Sequence, residues 1–191
     1  MARTHQERRD ATSQAVLLSA VKLFGQFGFQ KTSLEDITID AGTTTRPVYH
    51  YFKNKKNLFL AAVEYMENQL LLEFEDLEAA DLSRDLQIDF QKYWKIFIEK
   101  SQDPAFRQIV LIDAPNFLGR ERWLDSPIVL KALDYFYERY PFIKEPSRRL
   151  IARMIVAALT EAAMVISETD DYDVVDDLQA LIGLAIESLN G

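Results

Sequence analysis

The sequence predicts an all-α fold, in which an N-terminal helix-turn-helix of three helices precedes a larger helical domain. Apolar residues recur at helical spacing along most of the chain, and no stretch alternates between apolar and polar residues as a strand does. The chain has 191 residues, of which 48% are hydrophobic, so it can bury a substantial core. We expect two domains, at residues 1–54 and 55–191.

The first predicted helix runs from about Gln6 to Phe27. Its apolar face is formed by Leu17, Ala20, Val21, Phe24 and Phe27. Gly25 and Gly28 near its end favour a left-handed C-terminal cap. The same glycines fit the GxxG loop of an RNA-binding KH module, but a helix end followed by a turn is strongly favoured.

Two short helices and a turn are predicted next. Ser33, followed by acidic residues, is a favourable N-cap for a second helix, which ends near Gly42. One of three threonines, Thr43 to Thr45, caps a third helix with Pro47 in its first turn. Val48 and Phe52 share its inward face, whereas its polar face presents Thr45, Arg46, Tyr49 and His50. Little apart from presenting those side chains explains so polar a helix.

The remaining helices are marked by start signals. Asn54 caps a fourth helix that runs to about Glu78, and prolines at 104, 127 and 146 each stand where a later helix begins. The predicted later helices are 82–100, 104–118, 127–140, 146–168 and 174–189. They form an all-helical second domain.

Charge is distributed unevenly along the chain. Residues 1–58 hold nine Lys or Arg and five Asp or Glu, a net charge of +4, whereas the remaining 13 basic and 25 acidic residues give −12. A basic end on an acidic chain indicates a nucleic-acid surface at that end.

Several classes of protein find no support. The chain has no cysteine and only two histidines, His5 and His50, so neither thiolate chemistry nor a metal site of usual spacing is expected. No nucleophile with a neighbouring base, glycine-rich phosphate loop or cofactor motif is present, so we expect neither catalysis nor a cofactor. We see no secretory signal, and the apolar run Met154–Ile166 is too short to span a bilayer, so a cytoplasmic protein is the expectation.

A long motif extends from the first predicted helix to the start of the fourth. Its residues are Ala20, Leu23, Phe24, Phe27, Gly28, Lys31, Thr32, Ser33, Asp36, Ile37, Asp40, Ala41, Gly42, Val48, Tyr49, His50, Tyr51, Phe52, Lys53, Asn54, Lys55 and Leu58. By this motif, residues 10–60 resemble the DNA-binding domain of TetR-family transcriptional repressors without a gap. The resemblance implies a homodimer that represses transcription from a palindromic double-stranded operator and leaves it when a small molecule enters the C-terminal domain. Thr43, Thr44 and Arg46 depart from the usual family residues, so the operator sequence does not carry over.

Nine residues are candidates for DNA contact. In a helix-turn-helix the N-terminal residues of the second helix reach base edges, which assigns that role to Thr45, Arg46 and Pro47. The Arg46 guanidinium suits guanine O6 and N7. The further candidates are backbone contacts: Tyr49, His50, Thr32, Ser33, Thr44 and Lys55. The resemblance assigns a phosphate to Tyr49 in particular.

The second domain is expected to bind an effector and to dimerise. Candidate effector contacts are Tyr93, Phe97, Asp113, Asn116 and Phe117, because Pro115 inside a helix is expected to kink it and open a cavity. The acidic, aromatic-rich composition mildly favours a cationic or aromatic effector. The alternative is control by a partner protein, without a small-molecule site.

The last two helices, about 146–189, have wide apolar faces. The first of them presents Ala152, Ile155, Val156, Leu159, Ala162, Ala163 and Ile166. Such helices from two chains form a four-helix interface, although they can also be buried inside one chain. The resemblance favours the dimer, and Glu161 is expected either to find a partner across it or to face solvent.

Overall fold

The computed structural model describes residues 5–80, 86–119, 122, 126–139, 144–169, 176–177, 180–181 and 184. This part of the chain is helical and contains no strand, which confirms the all-α prediction. Its helices are α1 (His5–Lys31), α2 (Leu34–Asp40), α3 (Thr45–Tyr51), α4 (Lys55–Ala80), α5 (Leu86–Ser101), α6 (Pro104–Phe106), a π-helical segment (Arg107–Asp113), α7 (Ala114–Leu118), α8 (Pro127–Arg139) and α9 (Ser147–Thr169). The helix predicted at 174–189 lies largely outside the described residues.

Packing divides the chain into two compact units. The first contains Met1–Asn68 and Asp103–Trp123, and the second contains Gln69–Gln102 and Leu124–Gly191. The helical stretch after Asp103 belongs to the first unit because α6 and the π-helical segment pack on α1. The division into DNA-binding and effector domains at residue 54 therefore stays a functional prediction, distinct from this division by packing.

The core of the first unit joins α1 to the two short helices. Val16, Ala20 and Phe24 are fully buried with Ile37 of α2 and Val48 of α3. In α4, Leu58 and Phe59 are buried as well. Burying side chains of this size stabilises a fold by about 1.5–3 kcal/mol each. Most of the stability of these short helices must come from this shared core, since isolated seven-residue helices do not persist in water.

Phe27, predicted on the buried face of α1, is instead 49% exposed. The reason lies at Gly28, where a φ of 78° kinks α1. The kink turns half-buried Phe29 towards the core, with its ring centroid 4.8 Å from that of Phe59 and 5.9 Å from that of Phe24. Phe29 therefore occupies the position that helical periodicity assigned to Phe27.

Helices α2 and α4 begin next to the capping residues that the sequence predicted. Ser33 and Asp36 form a capping box: the Asp36 N–H donates to Ser33 Oγ, and the Ser33 N–H donates to the Asp36 carboxylate, both at 3.0 Å. The Asn54 side chain accepts from the Asn57 N–H at 2.8 Å at the start of α4. The N-cap of α3 is Thr44, but its side chain makes no capping hydrogen bond.

The region predicted as one helix at 104–118 changes helix type. Its start agrees with the prediction, since Asp103 accepts from the Ala105 N–H at 2.9 Å. Residues Arg107–Asp113 are then π-helical, and Pro115 follows in the first turn of α7. Proline has no N–H and its ring clashes with the carbonyl one α-turn back, so the wider π-turn is a physical response to Pro115.

Asp113 joins this π-helical segment to the kink in α1. Its side chain is 6% exposed, and its Oδ2 accepts the Phe29 N–H at 2.6 Å. That N–H follows the non-helical Gly28, so the carboxylate supplies an acceptor where the helix has none. Asp113 was predicted to contact an effector, but in the structure it bonds to the backbone of α1.

Gly25 permits a second close contact with α1. A Cβ built on Gly25 would lie 2.6 Å from the Ala105 Cβ and 2.9 Å from its Cα. Real side chains do not approach that closely, so the space between α1 and α6 has no room for a methyl group at residue 25. The glycine predicted to end α1 thus has a packing role.

In the second unit, α9 has one buried face and one exposed face. Ala152, Val156, Ala162, Ala163 and Ile166, which the sequence assigned to a dimer interface, are buried within the chain itself. By contrast, Leu150 is 58% and Met154 61% exposed, and Ala157 and Glu161 continue the same exposed stripe at helical spacing. Glu161 is thus exposed in the single chain, which leaves both of its predicted alternatives open: a partner across a dimer interface, or solvent.

Helix α9 is also the one helix in the described part of the chain that is long and apolar enough to cross a membrane. Only 33% of its most apolar window is buried. Length and composition alone are weak evidence for a span, because apolar helices of soluble proteins have the same properties.

Replacing Ser33 by alanine removes the acceptor of the α2 capping box, so we expect Ser33→Ala to lower the free energy of unfolding by about 1 kcal/mol. Thr44→Ala is the matched control, because Thr44 occupies the same cap position of α3 without a capping bond. Urea denaturation of both variants measures the difference. Equal losses would show that the capping box does not stabilise α2.

Asp113→Ala leaves the Phe29 N–H without its acceptor, and we expect a loss of about 1.5–3 kcal/mol, the usual value for a hydrogen bond to a charged group. Asn116→Ala is the control: Asn116 lies one turn away on α7, is exposed, and donates only to the Ile112 carbonyl within its own helical stretch. Thermal and urea unfolding report the loss. A stability loss no larger than that of Asn116→Ala would contradict the anchoring role of Asp113.

Candidate DNA-binding surface and effector cavity

A tight turn connects α2 to α3. Gly42 has a φ of 63°, and its N–H donates to the Ile39 carbonyl at 3.1 Å, while the Thr43 N–H donates to the Thr38 carbonyl at 2.9 Å. Glycine adopts this left-handed conformation without strain. The two helices and this turn form the predicted helix-turn-helix.

Helix α3 buries one side chain and exposes most of the others. Val48 is fully buried, whereas Thr45, Arg46, Tyr49 and His50 are exposed, with Tyr49 at 58%. Phe52, predicted on the inward face with Val48, is half-buried at the C-cap. The structure thus brings the predicted base-reading and backbone-contacting residues of α3 together on its outer side.

A shallow recess lies along this outer side. It has a volume of about 370 Å³ and is lined by Thr44, Arg46, Pro47, His50 and Tyr51. Thr44, Arg46 and His50 are exposed, so a hydrogen-bonding ligand can reach their polar groups. The half-buried ring of Tyr51 packs edge-on against His50, with ring centroids 4.9 Å apart.

Two predicted phosphate contacts have hydroxyl groups engaged in the fold. Thr32 is 2% exposed, and its hydroxyl lies within hydrogen-bonding distance of the Leu23 and Gly28 carbonyls, at 3.1 and 2.9 Å. The Ser33 hydroxyl belongs to the capping box, whose hydrogen bonds from the Ser33 side chain and backbone lower the pKa of Asp36. Both residues lie near α3, but their hydroxyls are not simply available to a phosphate.

Lys55, the first residue of α4, is half-buried. Its Nζ lies 4.4 Å from the centroid of the Phe29 ring and 3.4 Å from the Gln30 carbonyl oxygen. Burial lowers the pKa of Lys55, and the nearby Asp113 carboxylate opposes that shift. The ammonium therefore rests on an aromatic face that favours a cation, whereas neighbouring Lys56 is exposed.

The five predicted effector residues are divided between the two units. Tyr93 and Phe97 line a cavity in the second unit. Asp113, Asn116 and Phe117 belong to the first unit, where the Phe117 ring packs on Phe29 with centroids 4.7 Å apart. Pro115, which was expected to open a cavity, follows a π-helical segment that packs on α1. The effector role of these three residues stays a prediction.

The cavity lies between four helices of the second unit and has a volume of about 70 Å³. Its described walls are almost wholly apolar. They come from α4, α5, α8 and α9: Phe74, Tyr93, Trp94, Phe97, Ile128, Lys131, Ala132, Ile155, Val156 and Leu159. The apolar lining is typical of small-molecule sites, whereas the volume is below the roughly 300–1,000 Å³ of such sites, so a ligand would have to widen the cavity.

One ion pair stands at the cavity. Lys131 Nζ lies 2.7 Å from Glu78 Oε1 and 2.8 Å from Oε2, and the Tyr93 hydroxyl donates to Oε1 at 2.6 Å. Burial raises the pKa of Glu78, but the hydrogen bonds from Lys131 and Tyr93 outweigh it, so that the pKa is lowered overall. Glu78 and Lys131 were not predicted as cavity residues, because they are 53 positions apart and no local sequence pattern signals their contact.

Among the residues that the structure describes, no group of three or more His, Cys, Asp or Glu side chains is placed to hold a metal ion. The candidate sites are therefore the outer side of α3 and the apolar cavity.

Two known protein families match this chain. The family described as "Bacterial regulatory proteins, tetR family" matches residues 16–62, and the family "Tetracyclin repressor-like, C-terminal domain" matches residues 89–184. The first match includes the helix-turn-helix. The second covers half of the chain and includes most of the described cavity lining.

Curated relatives match at the N-terminal end. The transcriptional regulator AcrR of Shigella flexneri is 37% identical over 70 residues, which are 37% of this chain and 33% of AcrR. The transcriptional repressor NicS of Pseudomonas putida is 32% identical over 81 residues, 39% of this chain and 38% of NicS. The matched region thus spans only about a third of the length of these relatives.

Solved structures match over nearly the whole chain. A TetR-family transcriptional regulator from Pectobacterium atrosepticum has a TM-score of 0.71 at 25% identity, covering 98% of this chain and 97% of the other. The multidrug binding protein EbrR, solved with imidazole, shares the fold with a TM-score of 0.67 at 17% identity, covering 89% and 87%. The chain belongs to the TetR family of transcriptional regulators and carries that family's helix-turn-helix DNA-binding domain.

Proposed function

We propose that this protein is a homodimeric transcriptional repressor, which binds a palindromic operator through α3 and leaves it when a small molecule occupies the cavity of the second unit. The observation that carries the proposal is the outer side of α3, where an exposed arginine, tyrosine and histidine follow a tight helix-helix turn. The repressor NicS, which matches the N-terminal region, supports repression. We place the protein in the cytoplasm with its DNA.

In this proposal the start of α3 contacts bases. Thr45, Arg46 and Pro47 occupy its first turn, from which side chains reach the major groove. An arginine that donates two hydrogen bonds, to guanine O6 and N7, contributes about 1–3 kcal/mol of discrimination against other bases. Arg46 is the residue of this turn with the donors to do so.

The residues around the start of α3 are proposed to contact the DNA backbone. Tyr49 and His50 are exposed one turn further along α3, and Thr44 and Lys55 flank the helix. Thr32 and Ser33 have the weakest support, because their hydroxyls bond within the protein. The net charge of +4 over residues 1–58 gives this end the sign that phosphates attract.

The dimer is proposed to form through the exposed side of α9. Leu150 and Met154 are more than half exposed on a stripe that continues through Ala157. A helix as apolar as α9 is rarely left uncovered in water, and a two-fold axis would cover it with its own copy. The helix at 174–189, outside the described residues, is proposed to complete the four-helix interface.

The cavity favours a small molecule over a partner protein as the signal. It lies between helices and its walls are apolar, as effector sites require. EbrR, with the same fold, is described as a multidrug binding protein. Release follows if the effector binds best to a conformation that spaces the two α3 helices wrongly for successive major grooves.

The direct test is selection of bound sequences from a random DNA pool, followed by a screen of metabolites that release the selected DNA. A palindromic consensus bound by two chains is expected. Binding as one chain per site, or no preferred sequence at moderate salt, would refute the proposal.

Two variants separate base contacts from backbone contacts. We expect Arg46→Ala to cost about 1–3 kcal/mol on the selected operator and little on random DNA. Lys55→Ala should weaken binding to both alike and reduce the slope of log affinity against log salt by about one. Lys56→Ala, the exposed neighbour, is the control for a general loss of charge. Equal losses on operator and random DNA for Arg46→Ala would remove its base-reading role.

The dimer surface is tested by Leu150→Glu with Met154→Glu. Two carboxylates in a buried interface are costly to desolvate. We therefore expect the dissociation constant of the dimer to rise at least about tenfold. Sedimentation velocity measures the change. Leu130→Glu, at an exposed leucine of α8, is the control. A doubly substituted protein that remains as dimeric as the control would place the interface elsewhere.

A further inference from the structure

The charge at the effector cavity is that of an ion pair whose two charges cancel. Lys131 is the one charged side chain among its described lining residues, and both oxygens of Glu78 lie within 2.8 Å of its ammonium nitrogen. Glu78 does not itself line the cavity, and it also accepts from the Tyr93 hydroxyl. The ammonium and the carboxylate together carry no net charge.

This pair is unfavourable to charged ligands of either sign. A cation would lie beside a lysine whose charge Glu78 already balances, in walls that are otherwise apolar. An anion would have to compete with a carboxylate that already holds the ammonium. In each case a third charge leaves water without a counter-charge of its own, which costs free energy in an apolar site. Water screens part of this cost, because the Lys131 and Glu78 side chains are 32% and 29% exposed.

The pair nevertheless leaves hydrogen-bonding capacity. An ammonium has three N–H donors, and the two oxygens of Glu78 account for at most two of them. A neutral acceptor such as a carbonyl oxygen can take a remaining donor without adding charge. The hydrogen bonds that lower the pKa of Glu78 also keep it ionised at neutral pH, so that the compensation persists.

The size and shape of the cavity limit which ligands it can hold. The cavity volume of about 70 Å³ is smaller than the roughly 150 Å³ of an apolar cavity that binds benzene, so a single ring already requires side chains to yield. Phe74 and Tyr93 pack edge-to-face at 5.1 Å, and Trp94 and Phe97 are further rings of the lining. Such walls suit a flat ring.

We propose that the effector cavity is selective for an uncharged, single-ring apolar molecule that carries one carbonyl-type acceptor, and that the Lys131–Glu78 pair enforces this selectivity. The inference rests on the proposed effector role of the cavity. Of the cationic or aromatic effector that the composition favoured, it keeps the aromatic alternative and excludes the cationic one.

The test compares four one-ring probes of similar size on the full-length protein: acetophenone, ethylbenzene, benzoate and benzylammonium. Calorimetric or NMR titration gives their affinities. We expect acetophenone to bind about three- to tenfold more tightly than ethylbenzene, the usual net value of one hydrogen bond. Benzoate and benzylammonium should bind more weakly than acetophenone. A wild-type preference for either ion would overturn the proposal.

Variants of the pair provide the sharper test. Lys131→Met removes the donor at similar length, and should make acetophenone and ethylbenzene equal, while Lys131→Arg should restore the difference. Glu78→Gln leaves the ammonium uncompensated, so benzoate should gain about tenfold or more, as for a hydrogen bond between charged groups. A Glu78→Gln protein that is folded by circular dichroism yet still disfavours benzoate would refute the role of the pair.

A final pair of measurements separates this inference from the proposed function. Ala132→Leu adds volume to the cavity lining, and should abolish acetophenone binding in a protein that remains folded by circular dichroism. If acetophenone binds as expected but never weakens operator binding, the selectivity stands and effector control through this cavity fails. If selected metabolites release the operator from the Ala132→Leu protein as well as from wild type, effector control stands and the cavity assignment fails.

Discussion

The hydrogen bond from the Phe29 N–H to Asp113 is the constraint on which the first unit depends. Gly28 bends α1 out of helical geometry, and the N–H that follows would otherwise be left without an acceptor in a packed region. The carboxylate supplies one and ties the π-helical segment to α1. Phe29 then stands between the rings of Phe59 and Phe117.

The same bond determines where a positive charge lies. The Lys55 ammonium rests over the Phe29 ring, and Asp113 favours its protonated form. Lys55 begins α4 only four residues after α3 ends. A buried carboxylate 84 residues away from Phe29 thus helps to set the cation beside the recognition helix through one aromatic ring.

The sequence revealed the features that depend on near neighbours. Ser33, Asn54 and Asp103 cap helices by bonding two or three residues ahead, so their signals lie within one turn and can be read directly. The outer side of α3 was predictable for the same reason. Its role on DNA stays a prediction, since contact with a partner molecule is not a property of one chain.

Features made by distant residues could not be read in this way. No local pattern pairs Glu78 with Lys131 or Asp113 with Phe29, and these contacts define the cavity charge and the bend in α1. The net charge of the chain also did not predict the sign of the charged residue at the cavity. The chain carries −8, yet the charged residue that lines the described cavity is a lysine.

The close approach of Gly25 to Ala105 has a consequence for how this sequence can diverge. A methyl group at residue 25 would lie 2.6 Å from the Ala105 Cβ and 2.9 Å from its Cα, and the second of these contacts is with the backbone. Glycine at 105 would remove the first contact but leave the second. Residue 25 is therefore expected to remain glycine in sequences that keep this packing of α1 on α6, whatever residue stands at 105.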